Sequence, residues 1–226
     1  MPQDELALVR LLQLASPALP VGAYTYSQGL EAAVEAGMVR DALSATRWIS
    51  DVLRYSMASF EAPLCWRMLQ AWQIDDPKRL ADCNDMLIAG RETAETRAET
   101  LQMGYSLARL LGELEDFPER HLAALRQLDA ISYPAAYSCA AIAWNIPAQS
   151  ALLGYLWSWA ENQVLAALKC VPLGQTAGQR VLLELGALLP DIARQAMTAT
   201  DLGNFAPGLA ILSCRHETQY TRLFRS

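Results

Sequence analysis

Apolar residues recur along this chain at the three- and four-residue spacing of helices, and no stretch shows the sustained alternation or β-branched enrichment of a strand. The pattern predicts an all-α, single-domain helical bundle. A first helix is expected over Asp4–Ala15, ended by Ser16-Pro17 and Pro20, with Ser16–Tyr26 loop-like and Gly22 as its flexible point. Ser27 is placed to cap a short helix that stops at Gly37. From Asp41 or Ser44 a longer helix carries the stripe Leu43, Trp48, Ile49, Val52 and Leu53, and a second follows it to about Gln73. Asp76-Pro77 marks the next start, with Asp at the cap and Pro in the first helical position.

The stretch Arg91–Thr100 (RETAETRAET) has strong helix formers but no large apolar residue, whereas Met103, Leu107, Leu110, Leu111 and Leu114 follow at once as a core stripe. One long helix with its first half jutting into solvent or into a partner would explain the change; the plainer alternative is a solvated face with Arg91 and Glu95 paired across a turn. Helix signals resume after Pro118, between Pro134 and Asn145-Ile146-Pro147, over Ala148–Leu168, and from Gly174 or Thr176 toward Thr198, where Pro190 should kink or split the helix. Ala148–Leu168 is nearly long enough to span a bilayer, but Glu161-Asn162-Gln163 interrupts it. A mid-span charge costs roughly 2.5 to 3.5 kcal/mol, so a core helix carrying a satisfied polar network is expected, with no membrane as partner.

After the break at Asp201-Leu202-Gly203 the chain ends in GNFAPGLAILSCRHETQYTRLFRS. Its final residues place Tyr220, Leu223 and Phe224 among Arg215, Arg222 and Arg225, where a solvated tail would carry small polar residues. A two-part tail is expected: Phe205–Leu212 packing on the chain's own helices, and residues 214–226, from about Arg215 onward, free to dock on a partner.

Composition narrows the chemistry. With 226 residues and 53% hydrophobic content the chain can bury a sizeable core, and its net charge of −6 argues against nucleic acid as a partner. Only Lys78 and Lys169 among its 18 basic residues are lysine, and arginine suits bidentate contacts with carboxylates and carbonyls. Five scattered cysteines without a CxxC pair suggest buried thiols in a reducing cytoplasm, and the acidic N-terminus has the wrong order for a signal peptide. Two histidines, His121 and His216, make a one-chain transition-metal site improbable. There is no GxxxxGK[ST], GxSxG or HExxH motif. Lys169 reads as a snorkelling lysine at a helix end, and a dispersed carboxylate site drawn from Glu31, Glu92, Glu95 and Glu161 is the enzymatic alternative. The residues alone point to binding rather than catalysis.

Four stretches, LLQLASPALPVGAYTYSQGLE (11–31), RETAETRAETLQMG (91–104), WAENQVLAALKCVPLGQTAGQR (159–180) and GNFAPGLAILSCRHETQYTRLFRS (203–226), together resemble the urease accessory protein family UreF. The resemblance implies an all-helical protein that dimerises, with no catalytic activity and no cofactor of its own. It implies a chaperone-like adaptor that joins a UreD-type scaffold (also called UreH) and a UreG-type GTPase on apo-urease, where nickel is inserted, and that gates GTP hydrolysis or metal fidelity. Carried over residue by residue, Arg215, His216, Glu217, Tyr220 and Arg222 are the expected scaffold contacts, and Tyr24, Glu31, Lys169, Gln175 and Gln179 the expected GTPase contacts. His216 from two protomers could also meet across a dimer axis and bind nickel transiently.

Overall fold

The computed structural model describes residues 3–226, which form eleven α-helices and no strand. The first, α1 (Gln3–Leu14), is followed by a loop with one 3-10 turn at Ala23–Thr25, entered through Gly22 at φ 82°. The cap of the short helix α2 (Leu30–Glu35) lies two residues later than expected. Gly29, at φ 82°, takes the N-terminal position, and Ser27 Oγ instead reaches Glu31 N (3.3 Å) and donates to the Ser226 carbonyl.

Asp41 and Ser44 form a reciprocal capping box at the start of α3 (Ala42–Val52). Helix α3 continues without a break through wider π-helical turns over Leu53–Glu61 into α4 (Ala62–Gln73). Pro63 explains the change of pitch. It has no N–H to close onto Ser59 four residues back, the Ala62 N–H reaches back five residues to Met57, and the freed Ser59 carbonyl accepts from Gly203 N (3.0 Å). Two helices were expected here, and one rod with a π segment is found.

Helix α5 (Pro77–Ala89) starts as expected, with Asp76 accepting from Arg79 N, and α6 (Ala94–Glu113) is capped by Thr93. The polar first half of α6 does not jut out: Thr93, Glu99 and Thr100 are buried. Arg91 pairs with Glu61 at 2.7 Å and not with Glu95. Helix α7 (Glu119–Leu125) leads to α8 (Tyr133–Ala143), whose Tyr133–Ala141 are all buried, so α8 is the central strut. Gly104 of α6 lets that strut approach: a Cβ there would lie 2.1 Å from the Ile131 carbonyl oxygen.

Helices α9 (Ala148–Cys170) and α10 (Gln175–Thr198) pack along each other. Pro190 does not split α10; it lies exposed, where water can serve the carbonyl that lost its donor. No helix among the described residues is long and apolar enough to cross a membrane. The polar cluster inside α9 is only partly satisfied: Asn162 donates to the Tyr26 carbonyl (3.1 Å), while Gln163 Nε2 is buried without a partner. The last helix, α11 (Pro207–His216), and the turns after it close over α2 and α6. One large core runs through α3–α10, and a smaller one joins Leu30, Ala33, Ala166 and Val171 to Leu212 and Phe224 of the C-terminal segment.

Candidate partner-docking surface

The C-terminal segment lies in a groove of its own chain, and the groove is polar at its base. Ser213 Oγ meets Thr93 Oγ1 (2.9 Å), and Glu217 accepts from Ala94 N (3.0 Å), placing a carboxylate at the positive N-terminus of α6. His216 is fully buried, with Nδ1 2.8 Å from Glu95 of α6 and Nε2 3.1 Å from Glu31 of α2. Arg222 binds the other oxygen of Glu95 at 2.7 Å. Glu31 also accepts the backbone N–H groups of Leu223 (2.7 Å) and Phe224 (3.0 Å). A single carboxylate thus accepts two backbone amides of the tail and meets the His216 ring as well.

Beyond this clasp the tail runs against the loop that precedes α2. Arg225 N donates to the Thr25 carbonyl (2.8 Å), and the Ser226 carbonyl accepts from Ser27 N (2.6 Å) and Gln28 N (3.1 Å). Ser226 Oγ donates to Glu99 (3.1 Å), which also accepts from Gln28 Nε2 (2.6 Å), and Gln28 in turn accepts from Trp159 Nε1 (2.6 Å). Burial pushes the Glu99 carboxyl up to about 7, against the pull of its Gln28 hydrogen bond and of Arg91. Beside Glu99 a cavity of about 70 Å³, lined in part by Leu14, Glu61, Arg91 and Tyr155, reaches toward Tyr24. Tyr155 donates its hydroxyl to Glu61 there, and Arg91 Nε has no partner.

Two side chains mark the rim. Lys169 Nζ stands over the rings of Tyr24 (5.7 Å) and Phe224 (5.1 Å) and donates to the Tyr24 carbonyl (3.4 Å). The expected snorkelling lysine is therefore a bridge between the loop and the tail. Tyr220 is fully exposed and Leu223 is 68% exposed, so the outer side of the tail presents an aromatic and an aliphatic side chain among Arg215, Arg222 and Arg225.

Several expectations are corrected. The residues from Arg215 onward are not uniformly free: His216, Phe224 and Ser226 are buried, because the carboxylates of α2 and α6 need the donors that the tail carries. Conversely, Phe205 does not pack inward but stands 83% exposed, although its neighbours are tied down by Gly203 on Ser59 and by Asn204 on Ser56 and Gly90. Both nitrogens of His216 are engaged by carboxylates of its own chain and the ring is fully buried, which argues against its bridging nickel to a second protomer. Glu31 is buried beneath the tail, so it reaches a partner only through the tail it holds. Of the dispersed carboxylates, Glu31 and Glu95 converge on His216, while Glu92 is exposed and Glu161 lies on the cavity wall. Among the described residues no group of three His, Cys, Asp or Glu side chains could hold a metal ion.

Lys169 meets the tail at Phe224 and Tyr24 meets Lys169, and Gln175 and Gln179 lie exposed on the first turns of α10. The two sets of expected contact residues adjoin one another at Glu31, which meets His216, and Lys169 reaches the same tail at Phe224. Sequence reasoning missed Glu99, Ser27 and Gln28. The available signal was the four-residue spacing of Glu95 and Glu99, which puts both on one face of α6.

The sequence model of the UreF family matches residues 39–186. A urease accessory protein UreF of Azoarcus sp. (strain BH72) is 59% identical over 225 residues, covering 98% of this chain and 96% of that protein. Proteins of the same name from Dechloromonas aromatica (strain RCB) and Janthinobacterium sp. (strain Marseille) are each 52% identical, covering 98% and 97% of this chain and 98% of their own length.

Proposed function

Because the chain belongs to the UreF family of urease accessory proteins, we propose that it is a non-catalytic adaptor linking a UreD/UreH-type scaffold to a UreG-type GTPase on apo-urease during nickel insertion. The observation that carries this reading is the seated tail, whose inner side is tied down by carboxylates while its outer side leaves Tyr220 and Leu223 uncovered. An exposed aromatic among arginines has the composition of an interface hot spot. Arg215, Tyr220 and Arg222, with Leu223, meet the scaffold; His216 and Glu217 act from beneath by fixing the backbone that presents them. Tyr24, Lys169, Gln175 and Gln179 form the GTPase contact, and Glu31 serves both faces by holding Leu223 and Phe224.

Adjacent contact sets give the adaptor a physical route for gating GTP hydrolysis. Lys169 touches Phe224, so a scaffold that shifts the tail also shifts the lysine offered to the GTPase. The test is a reconstituted pull-down with the three partners. Tyr220→Ala is expected to lose the scaffold with its fold intact, and Lys169→Ala to weaken GTPase recruitment while scaffold binding persists. Wild-type retention of both partners by both variants would overturn the assignment.

A further inference from the structure

We propose that the tail is a proton-operated latch: the seat of residues 213–226 is closed by one proton held between His216, Glu31 and Glu95, and it opens as the pH rises. This concerns the chain alone and goes beyond the adaptor reading.

The inference follows from counting hydrogens. Each ring nitrogen of His216 faces a carboxylate oxygen, at 2.8 Å and 3.1 Å. Ionised carboxylates only accept, and a neutral imidazole brings one N–H. Two short contacts between acceptors and ring nitrogens therefore need one hydrogen more than a neutral ring and two carboxylates possess. Whether it rests on the ring or on a carboxyl, removing it sets a bare nitrogen lone pair against an oxygen in a site closed to water.

Charge leads to the same conclusion. The groups facing the ring are Glu31 from α2 and Glu95 from α6, and Arg222 of the tail neutralises one of them. With the proton present the cluster sums to zero, and without it a net negative charge is buried. The surrounding charges are Glu217 at the start of α6, Glu99 one turn further along it, and Lys169 with the Cys170 thiol from α9. None of them holds a hydrogen bond to the ring in place of the two carboxylates. Opening frees the tail as a unit, because Glu31 holds His216, Leu223 and Phe224 together.

The experiment is amide hydrogen exchange of Leu223, Phe224 and Arg225 followed from about pH 5 to about pH 9, a span that contains the range in which histidine side chains change charge. Rates are corrected for intrinsic base catalysis. All variants are made on Glu99→Gln, so that Glu99, which touches Ser226, adds no titration of its own. Protection in that background is expected to fall by up to about tenfold per pH unit, the slope of one linked proton. Adding Glu95→Gln supplies an amide that can donate to the bare nitrogen, so the tail should remain protected and its pH slope vanish. Adding His216→Ala should leave the three amides unprotected at every pH. Flat protection in the Glu99→Gln background would overturn the proposal, and so would an unchanged slope after Glu95→Gln.

Discussion

Replacing Glu99 by Gln should stabilise this protein at neutral pH although Glu99 sits in a hydrogen-bonded network. In the folded chain burial pushes its carboxyl from the ordinary 4.5 to about 7. Below 4.5 both folded and unfolded chains carry the proton and the residue contributes nothing. Between 4.5 and 7 the unfolded chain gives up its proton while the folded chain keeps it, so stability falls with rising pH; above 7 the loss is complete. At 1.36 kcal/mol per unit the full loss is about 3 kcal/mol, an upper figure for so buried a group. Glutamine never pays it. Its carbonyl can accept from Gln28 Nε2 and its amide can donate to the Ser226 hydroxyl, so both existing contacts are kept. Urea unfolding of wild type and Glu99→Gln at about pH 4.5 and pH 8 checks the prediction, since every other titrating group is shared and cancels in the comparison. The variant should match wild type at the lower pH and exceed it by about 1 to 3 kcal/mol at the higher. Equal destabilisation at both would mean that Glu99 is ionised and fully compensated, and would refute the reasoning.

Three further outcomes are expected. Gly104→Ala forces a methyl to within 2.1 Å of the Ile131 carbonyl and 2.8 Å of that of Ser132, both backbone, so it should cost about 2 kcal/mol or more and lower Tm by several degrees in a thermal melt. Asn204→Ala removes the bridge from Ser56 to the Gly90 carbonyl and should cost about 1 kcal/mol, seen as faster proteolysis near residues 199–206 before global unfolding. Leu12→Arg places a charge on the exposed apolar side of α1, beside α9 with its exposed Leu153 and Trp157; we propose this face as the seam of the homodimer expected from the sequence, so light scattering should report monomers while the circular dichroism spectrum is unchanged, and an unchanged dimer would place the seam elsewhere.

Much of the helical framework was legible because its signals are local. Asp41 with Ser44, and Asp76 with Pro77, announce helix starts within four residues, and the stripe from Met103 to Leu111 faces the core as its spacing demands. What escaped depends on partners far away in the chain. The π turns before Pro63 are stabilised by a carbonyl bond to Gly203, and the polar half of α6 looked solvated because its cover, residues 213–226, is itself polar. Hydrophobic periodicity finds a face that hides from water; it is blind to a face that hides by exchanging hydrogen bonds.

The same blindness explains why the tail was read as free. An arginine-rich end on an acidic chain suggests an external acidic partner, and the arrangement found is an internal one: Glu31, Glu95 and Glu99 receive Arg222, His216, Ser226 and two backbone amides, the furthest of them 193 residues away in sequence. That internal pairing is compatible with the proposed docking, because it leaves Tyr220 and the side chain of Leu223 uncovered on the outer side of the tail. A free segment would lose roughly 1 to 2 kcal/mol per residue in backbone entropy on docking, whereas a seated one has already lost it. The carboxylates of α2 and α6 therefore act as pre-organisers, and substituting them should lower the affinity of a partner that never touches them.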